Sequence, residues 1–291
     1  SRRQRQMCIR DRMAVLTPRD EVLLLSPAWP SYDGMVRLTG ALPIHVPVRR
    51  DNYHPDFDAL EAHVTENTKA IILNTPNNPT GAVYTPEETK RLVGFAVKHD
   101  LWILDDMIYS TLVWTDVGYT SPCAFEGGSE RTITIGGWSK GWAMTGWRLG
   151  WITGPTNVMD GVKVVNVSSA THVPTFLMPA AAKALSLEEE VQEMKDAFAE
   201  RRVLMHQGLS SLPGFVVPEP EGAFYILCDI TGTGLTDIEF AHQALEHAQV
   251  QVIPGSLMKG GDGLIRISYA TSIANIHEGV RRLKEWLESR N

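Results

Sequence analysis

TITIGGWSKGWAMTGWRLGWITG, residues 132–154, reads as a short apolar strand, a Gly-rich turn, a lysine, a second Gly turn, an arginine and a second apolar strand. The strands fall at 132–136 and 149–153. Lys140 is the only lysine between Lys98 and Lys163, and glycines and tryptophans surround it. An ammonium group in a semi-dry turn is costly to keep charged, so such an amine titrates low and attacks carbonyls. A surface lysine on a strand-connecting loop is the plain alternative, and the neighbouring strands decide between the two.

Those strands alternate with helices. Residues 21–26, 69–74 and 101–104 are short apolar runs, the signature of strands buried on both faces. Between them lie helical segments. Ser31 is read as capping a helix that runs to Thr39, with Gly40 ending it. Residues 56–64 are amphipathic, and Thr85-Pro86-Glu87-Glu88 carries a cap, a proline at the first helical position and a capping-box acid. Residues 43–48 contain two prolines and suit an edge strand. This order predicts an α/β fold, a mainly parallel sheet sandwiched by helices. Residues 155–187 read as helical, and a charged helix follows from 187 to about 211. Beyond Pro213-Gly214, strands at 215–217, 223–228, 250–253 and 264–269 alternate with helices at 236–248 and 272–289. That is a smaller C-terminal α+β domain. The expected division is a large domain over 13–180 and a small one over 181–291.

Bulk properties narrow the function. A net charge of −7 leaves no basic excess for nucleic acid. No apolar run approaches the roughly 20 residues that span a bilayer. Three dispersed cysteines form neither a disulfide framework nor a CxxC site, which favours a reducing compartment and a cytoplasmic location. The histidines are scattered, and His242 and His247 are poorly spaced for a metal. Residues 1–12, SRRQRQMCIRDR, are basic without an apolar core and are set aside as a non-native leader.

In an open α/β sheet ligands bind at the carboxyl ends of the strands. Trp29 follows the first strand, Asn78 the 69–74 strand and Asp106 the 101–104 strand, with Tyr109 one helical turn on. Lys140 follows the 132–136 strand. Each has a plain explanation alone: a turn residue, a helix cap, core aromatics. Together they fit a pyridoxal 5′-phosphate site. A lysine amine holds the aldehyde as a Schiff base. A carboxylate keeps the pyridine nitrogen protonated, an amide and a phenol hydrogen-bond the ring oxygen, and an aromatic stacks on the ring. Arg148 can fold back past a Gly turn to the phosphate, or else make a surface ion pair.

NNPTG at 77–81, DDMIY at 105–109 and SKGWAMTGWRLGW at 139–151 resemble signature segments of the class I/II, fold-type I PLP-dependent aminotransferases, the aspartate aminotransferase superfamily. LIRISYA at 264–270 resembles that family's carboxylate-binding strand. The resemblance runs from about residue 20 to the end. It implies that Lys140 holds the cofactor and shuttles the Cα proton, and that Asp106 pairs with the pyridine nitrogen. Tyr109 and Asn78 would bind the ring oxygen, Trp29 would stack, and Arg148 would hold the phosphate. Arg266 would grip the substrate carboxylate, with Asn78 beside it. It also implies a homodimer acting on an amino acid and a 2-oxo acid, with aspartate-type or broad specificity. Two departures stand out. Gly137 occupies a position where the family often has a phosphate-binding serine, which leaves that contact weaker or moved to Ser139. The family's N-terminal segment, with its phosphate-binding turn, is expected to be missing. The same residues also serve PLP-dependent β-lyases, and an aminotransferase-like sensor domain of a transcription regulator stays open as a non-enzyme reading.

Overall fold

The computed structural model describes residues 14–290; the leader read at 1–12 lies outside them. The central sheet is built from β1 (Glu21–Ser26), β2 (Leu42–Pro47), β3 (Thr68–Asn74), β4 (Trp102–Asp106), β5 (Thr132–Gly137) and β6 (Gly150–Thr153). Their spatial order is β2-β1-β3-β4-β5-β6. The first five strands run parallel and β6 closes the edge antiparallel to β5. The proline-bearing β2 is the opposite edge, where a missing N–H does not break a ladder.

Alternation along the strands loads both faces of the sheet. Leu23, Leu25, Ile71, Leu73 and Ile103 pack with Leu60 of α2 (Phe57–His63) and with Leu92, Val93 and Phe95 of α3 (Pro86–Lys98). On the other face Val22, Leu24, Ile72, Leu104 and Ile133 pack with Met35 and Val36 of α1 (Ser31–Arg37) and with Val158 and Val162 of α4 (Thr156–Ala170). At the start of α3 the Thr85 hydroxyl accepts from the Glu88 amide and the Glu88 carboxylate from the Thr85 amide. Asp56 caps α2 through the amides of Asp58 and Ala59.

Three local readings change in the first 187 residues. Pro30, not Ser31, stands at the N-cap of α1, and Ser31 is its first helical residue, with no side-chain cap bond. The fixed φ of proline is already helical, so the helix starts without a hydroxyl cap. Tyr109 sits in a turn, not a helix, with Ser110 N–H bonded to the Met107 carbonyl. The helical reading of 155–187 splits into α4 and α5 (Met178–Ala184), because Thr171 turns to positive φ and Pro174 follows.

α6 (Glu188–Ser210) leads to a three-stranded antiparallel sheet of order β7-β9-β8, from β7 (Tyr225–Asp229), β8 (Ile253–Pro254) and β9 (Leu264–Ser268). α7 (Asp237–His247) and α8 (Ile273–Ser289) cover it, and Phe240, Leu283 and Trp286 fill the core between. The expected strand at 215–217 contributes one bridge, Val216 to Asp229, before Pro218 removes the next donor. The strand expected at 250–253 is reduced to Ile253–Pro254.

Candidate active site

The chain reverses direction across the sheet at β1 and β3, its neighbours lying on opposite sides, and this is where an open α/β sheet leaves a crevice at its carboxyl ends. A cavity of about 180 Å³ lies there. Trp29, Asn78, Asp106, Tyr109 and Lys140 all line it.

Asp106 ends β4 and is 2% exposed. The Tyr32 hydroxyl donates to its Oδ2 at 2.7 Å, and the Ile108 amide to its Oδ1 at 3.3 Å. Asn74, the last residue of β3, donates from its amide to the Asp106 carbonyl at 2.9 Å, and its Oδ1 accepts from the Asn78 N–H at 2.9 Å. One buried side chain therefore fixes both the acid and the NNPTG turn. Trp29 packs edge-on against Tyr32, with ring centroids 5.3 Å apart.

Lys140 lies on the turn after β5. Its Nζ stands 5.2 Å from the Phe224 ring centroid and 5.9 Å from that of Tyr109. Burial, then the charges of Arg148 and Arg266, hold its pKa below the ordinary lysine value. Tyr109 is buried, which pushes its phenol well above the usual range, and its hydroxyl meets that of Tyr225 at 3.1 Å. Arg266 does not line the cavity but reaches its rim. It donates from Nη1 to Asn78 Oδ1 at 2.9 Å, and its guanidinium lies 4.7 Å above the Tyr225 ring. Arg148 adopts φ 60° and donates to the Thr145 carbonyl. It faces a narrow cleft bordered by Asp106, Ile108, Gly136 and Gly137, next to the main cavity.

A Cβ on Gly137 would lie 3.0 Å from the Leu149 carbonyl oxygen and 3.2 Å from Ile108 Cδ1. The close β5–β6 approach thus favours glycine where the family often has serine. Ser139 is buried and is not among the cavity-lining residues, whereas Thr145 is.

Tyr32, Asn74, Thr145 and Tyr225 escaped the sequence reading. Asn74 was reachable by the same strand-end rule that found Asn78, since it closes β3. Tyr32 and Tyr225 carry no such signal, because α1 packing and the second sheet bring them in.

The donor set suits pyridoxal phosphate: a buried carboxylate, a lysine of lowered basicity, phenols and an indole around one cavity, and an arginine beside a glycine-lined cleft. A lysine and a carboxylate so placed on this parallel sheet are what a fold-type I pyridoxal phosphate enzyme requires. The profile of Aminotransferase class I and II matches residues 9–283, and the chain belongs to that family. It is 40% identical over 282 residues to an aspartate aminotransferase of Pyrococcus abyssi, covering 95% of this chain and 72% of that relative. It is 41% identical over 280 residues to aromatic-amino-acid aminotransferase 2 of Thermococcus litoralis, covering 94% of this chain and 72% of that relative. The aromatic aminotransferase structure from Pyrococcus horikoshii superposes with a TM-score of 0.96 at 37% identity, over 99% of this chain and 78% of that one. The chain is an aminotransferase, as its sequence motifs implied.

Proposed function

We propose that this enzyme holds pyridoxal 5′-phosphate in the Lys140–Asp106 cavity and moves the amino group of an L-amino acid to a 2-oxo acid, with aspartate-type or broad specificity. The observation that carries the reading is the joint lining of one cavity by Lys140 and Asp106, with Arg266 fixed at its rim through Asn78. When bound, the cofactor supplies an electron-withdrawing ring that stabilises negative charge at the substrate Cα. Asp106 would pair with the ring nitrogen, Tyr109 and Asn78 would bond the ring oxygen, Trp29 would stack, and Arg148 would take the phosphate. Lys140 would anchor the cofactor and, with its depressed basicity, would take a proton from Cα and return it. Arg266 takes the α-carboxylate as a two-toothed donor. That grip sets the orientation of the bond to be broken. Tyr225 beneath the guanidinium limits its tilt.

The same reading places the domain division at 180/181, assigns a homodimer and a cytoplasmic location, and gives no role to nucleic acid. The net charge of −7 supports the last of these, and among the described residues no helix is long and apolar enough to cross a membrane. The test is a near-visible absorbance titration of the chain with pyridoxal phosphate, then with a panel of amino acids. A lysine-dependent band that Lys140→Ala loses, and that particular amino acids convert, is the expected result. A band that no amino acid converts would overturn transamination.

A further inference from the structure

His54 lies outside the cavity, 6% exposed, between two carboxylates distant in sequence. Its Nδ1 meets Glu88 Oε2 at 2.7 Å and its Nε2 meets Glu221 Oε2 at 2.9 Å. Ionised carboxylates only accept, so both ring nitrogens donate and the ring is an imidazolium. Burial opposes that charge, yet the bonds to Glu221 and Glu88 raise the pKa to about 9. The groups facing the ring are Glu88 from α3, Glu221, the Tyr84 ring at 6.0 Å, and Arg49 from its own turn.

Glu221 belongs to the segment that enters the active site. The Glu221 and Gly222 amides both donate to the Gly81 carbonyl, at 3.0 and 2.8 Å, so this segment rides on the NNPTG turn. Arg202 of α6 holds it from the other side, donating to Glu219 at 2.9 Å and to the Pro220 carbonyl at 3.0 Å. Three and four residues on come Phe224, beside Lys140, and Tyr225, beneath Arg266.

We infer that His54, as an imidazolium, is a positioning residue: by tying Glu221 to the N-terminus of α3 it sets the path of residues 221–225, and through Tyr225 the orientation of the Arg266 guanidinium. The inference rests on reading Arg266 as the carboxylate anchor. Loss of the proton leaves the ring a single N–H, so one of the two carboxylate bonds is lost, and the one to the less firmly held Glu221 gives way. Glu88 keeps Arg49, which donates to its Oε1 at 2.8 Å, whereas Glu221 keeps the Val83 amide. Carboxylate affinity then falls as pH rises through the His54 pKa, and the chemical step changes little.

The experiment is calorimetric binding of maleate, which has no amino group to titrate in this range, to the pyridoxal phosphate-loaded full chain. It is run from about pH 7.5 to 10, alongside NMR titration of the His54 ring. The wild type is expected to weaken roughly tenfold across the His54 transition. His54→Gln is expected to bind roughly tenfold more weakly at the low end and to lack that limb. His54→Arg, a cation that does not titrate here, should recover the low-pH affinity without the limb. In Glu221→Gln the NMR titration of His54 should move down, a readout that needs no ligand. A limb that persists in His54→Gln, which would assign it to Lys140 or another group, overturns the inference and leaves the anchor reading intact. So does an unmoved His54 titration in Glu221→Gln. Undiminished maleate binding by Arg266→Ala instead overturns the anchor reading, and this inference with it.

Discussion

Asp105 and Asp106 are sequence neighbours on β4 that face opposite sides of the sheet, and their surroundings give them different chemistry. Asp106 meets the cavity and accepts from Tyr32 at 2.7 Å. Asp105 is fully buried on the other side, with Oδ2 accepting from the Tyr119 hydroxyl at 2.5 Å and Oδ1 unpartnered. Burial, aided by the adjacent Asp106 charge and opposed by the Tyr119 bond, pushes Asp105 up to about 7. Unfolded, it titrates near ~3.9. Between those values the folded state keeps a proton that the unfolded state has lost, so stability falls as pH rises. Asp105→Asn cannot ionise and should gain on the wild type by up to about 1.4 kcal/mol per pH unit over that window, with a constant advantage above it. Urea unfolding at several pH values reads this directly, and a pH-independent difference would contradict it. Tyr32→Phe should cost about 2 kcal/mol in the same assay, since it takes a donor from a buried carboxylate. The contrast also marks what was legible. Asp106, Asn78 and Lys140 could be placed because each follows a strand's carboxyl end. Tyr32 and Tyr225 could not, because only tertiary packing brings them to the site.

At the scale of the element, local rules read well wherever the stabilising contact is local. The Thr85–Glu88 capping box spans four residues, and the structure contains it as the sequence spelled it. Thr85→Ala should cost about 1 kcal/mol, seen as a lower denaturation midpoint. The buried runs of β1, β3 and β4 were equally clear, since strands covered on both faces are mostly apolar. Elements whose limits are set from outside were not. β8 is only two residues long because its pairing with β9, not its own composition, decides its extent. Gly136 is a related case. Trp151, its partner on β6, lays its indole over the glycine, and a Cβ there would come within 2.3 Å of the ring. Gly136→Ala must push the indole away or part the strands. It is expected to destabilise by about 1–3 kcal/mol, while conservative changes at Trp151 that shrink the ring should partly rescue the double variant.

At the scale of the molecule, two sheets share one apolar cluster. Leu227 of β7, Leu264 of β9 and Met258 pack in the same core as Leu23, Ile71, Leu73 and Ile103 of the large sheet. The polar contact at the site follows the same seam, where Arg266 of β9 reaches Asn78. A second core of Phe240, Leu283 and Trp286 belongs to the smaller sheet and its helices alone. The sequence signalled two patterns of strands and helices but not this shared cluster, since periodicity reports which face of an element is apolar and not what lies against it. If the seam couples the halves, they unfold together. Native-state hydrogen exchange should then give the slowest amides of β3 and of β7 the same opening free energy. Met258→Ala, which removes a side chain 1% exposed within the shared cluster, should lower both by about 2–5 kcal/mol in parallel. Were the seam only a contact between independent folding units, the β7 amides would open at lower free energy than those of β3. Met258→Ala would then widen that gap instead of moving both together.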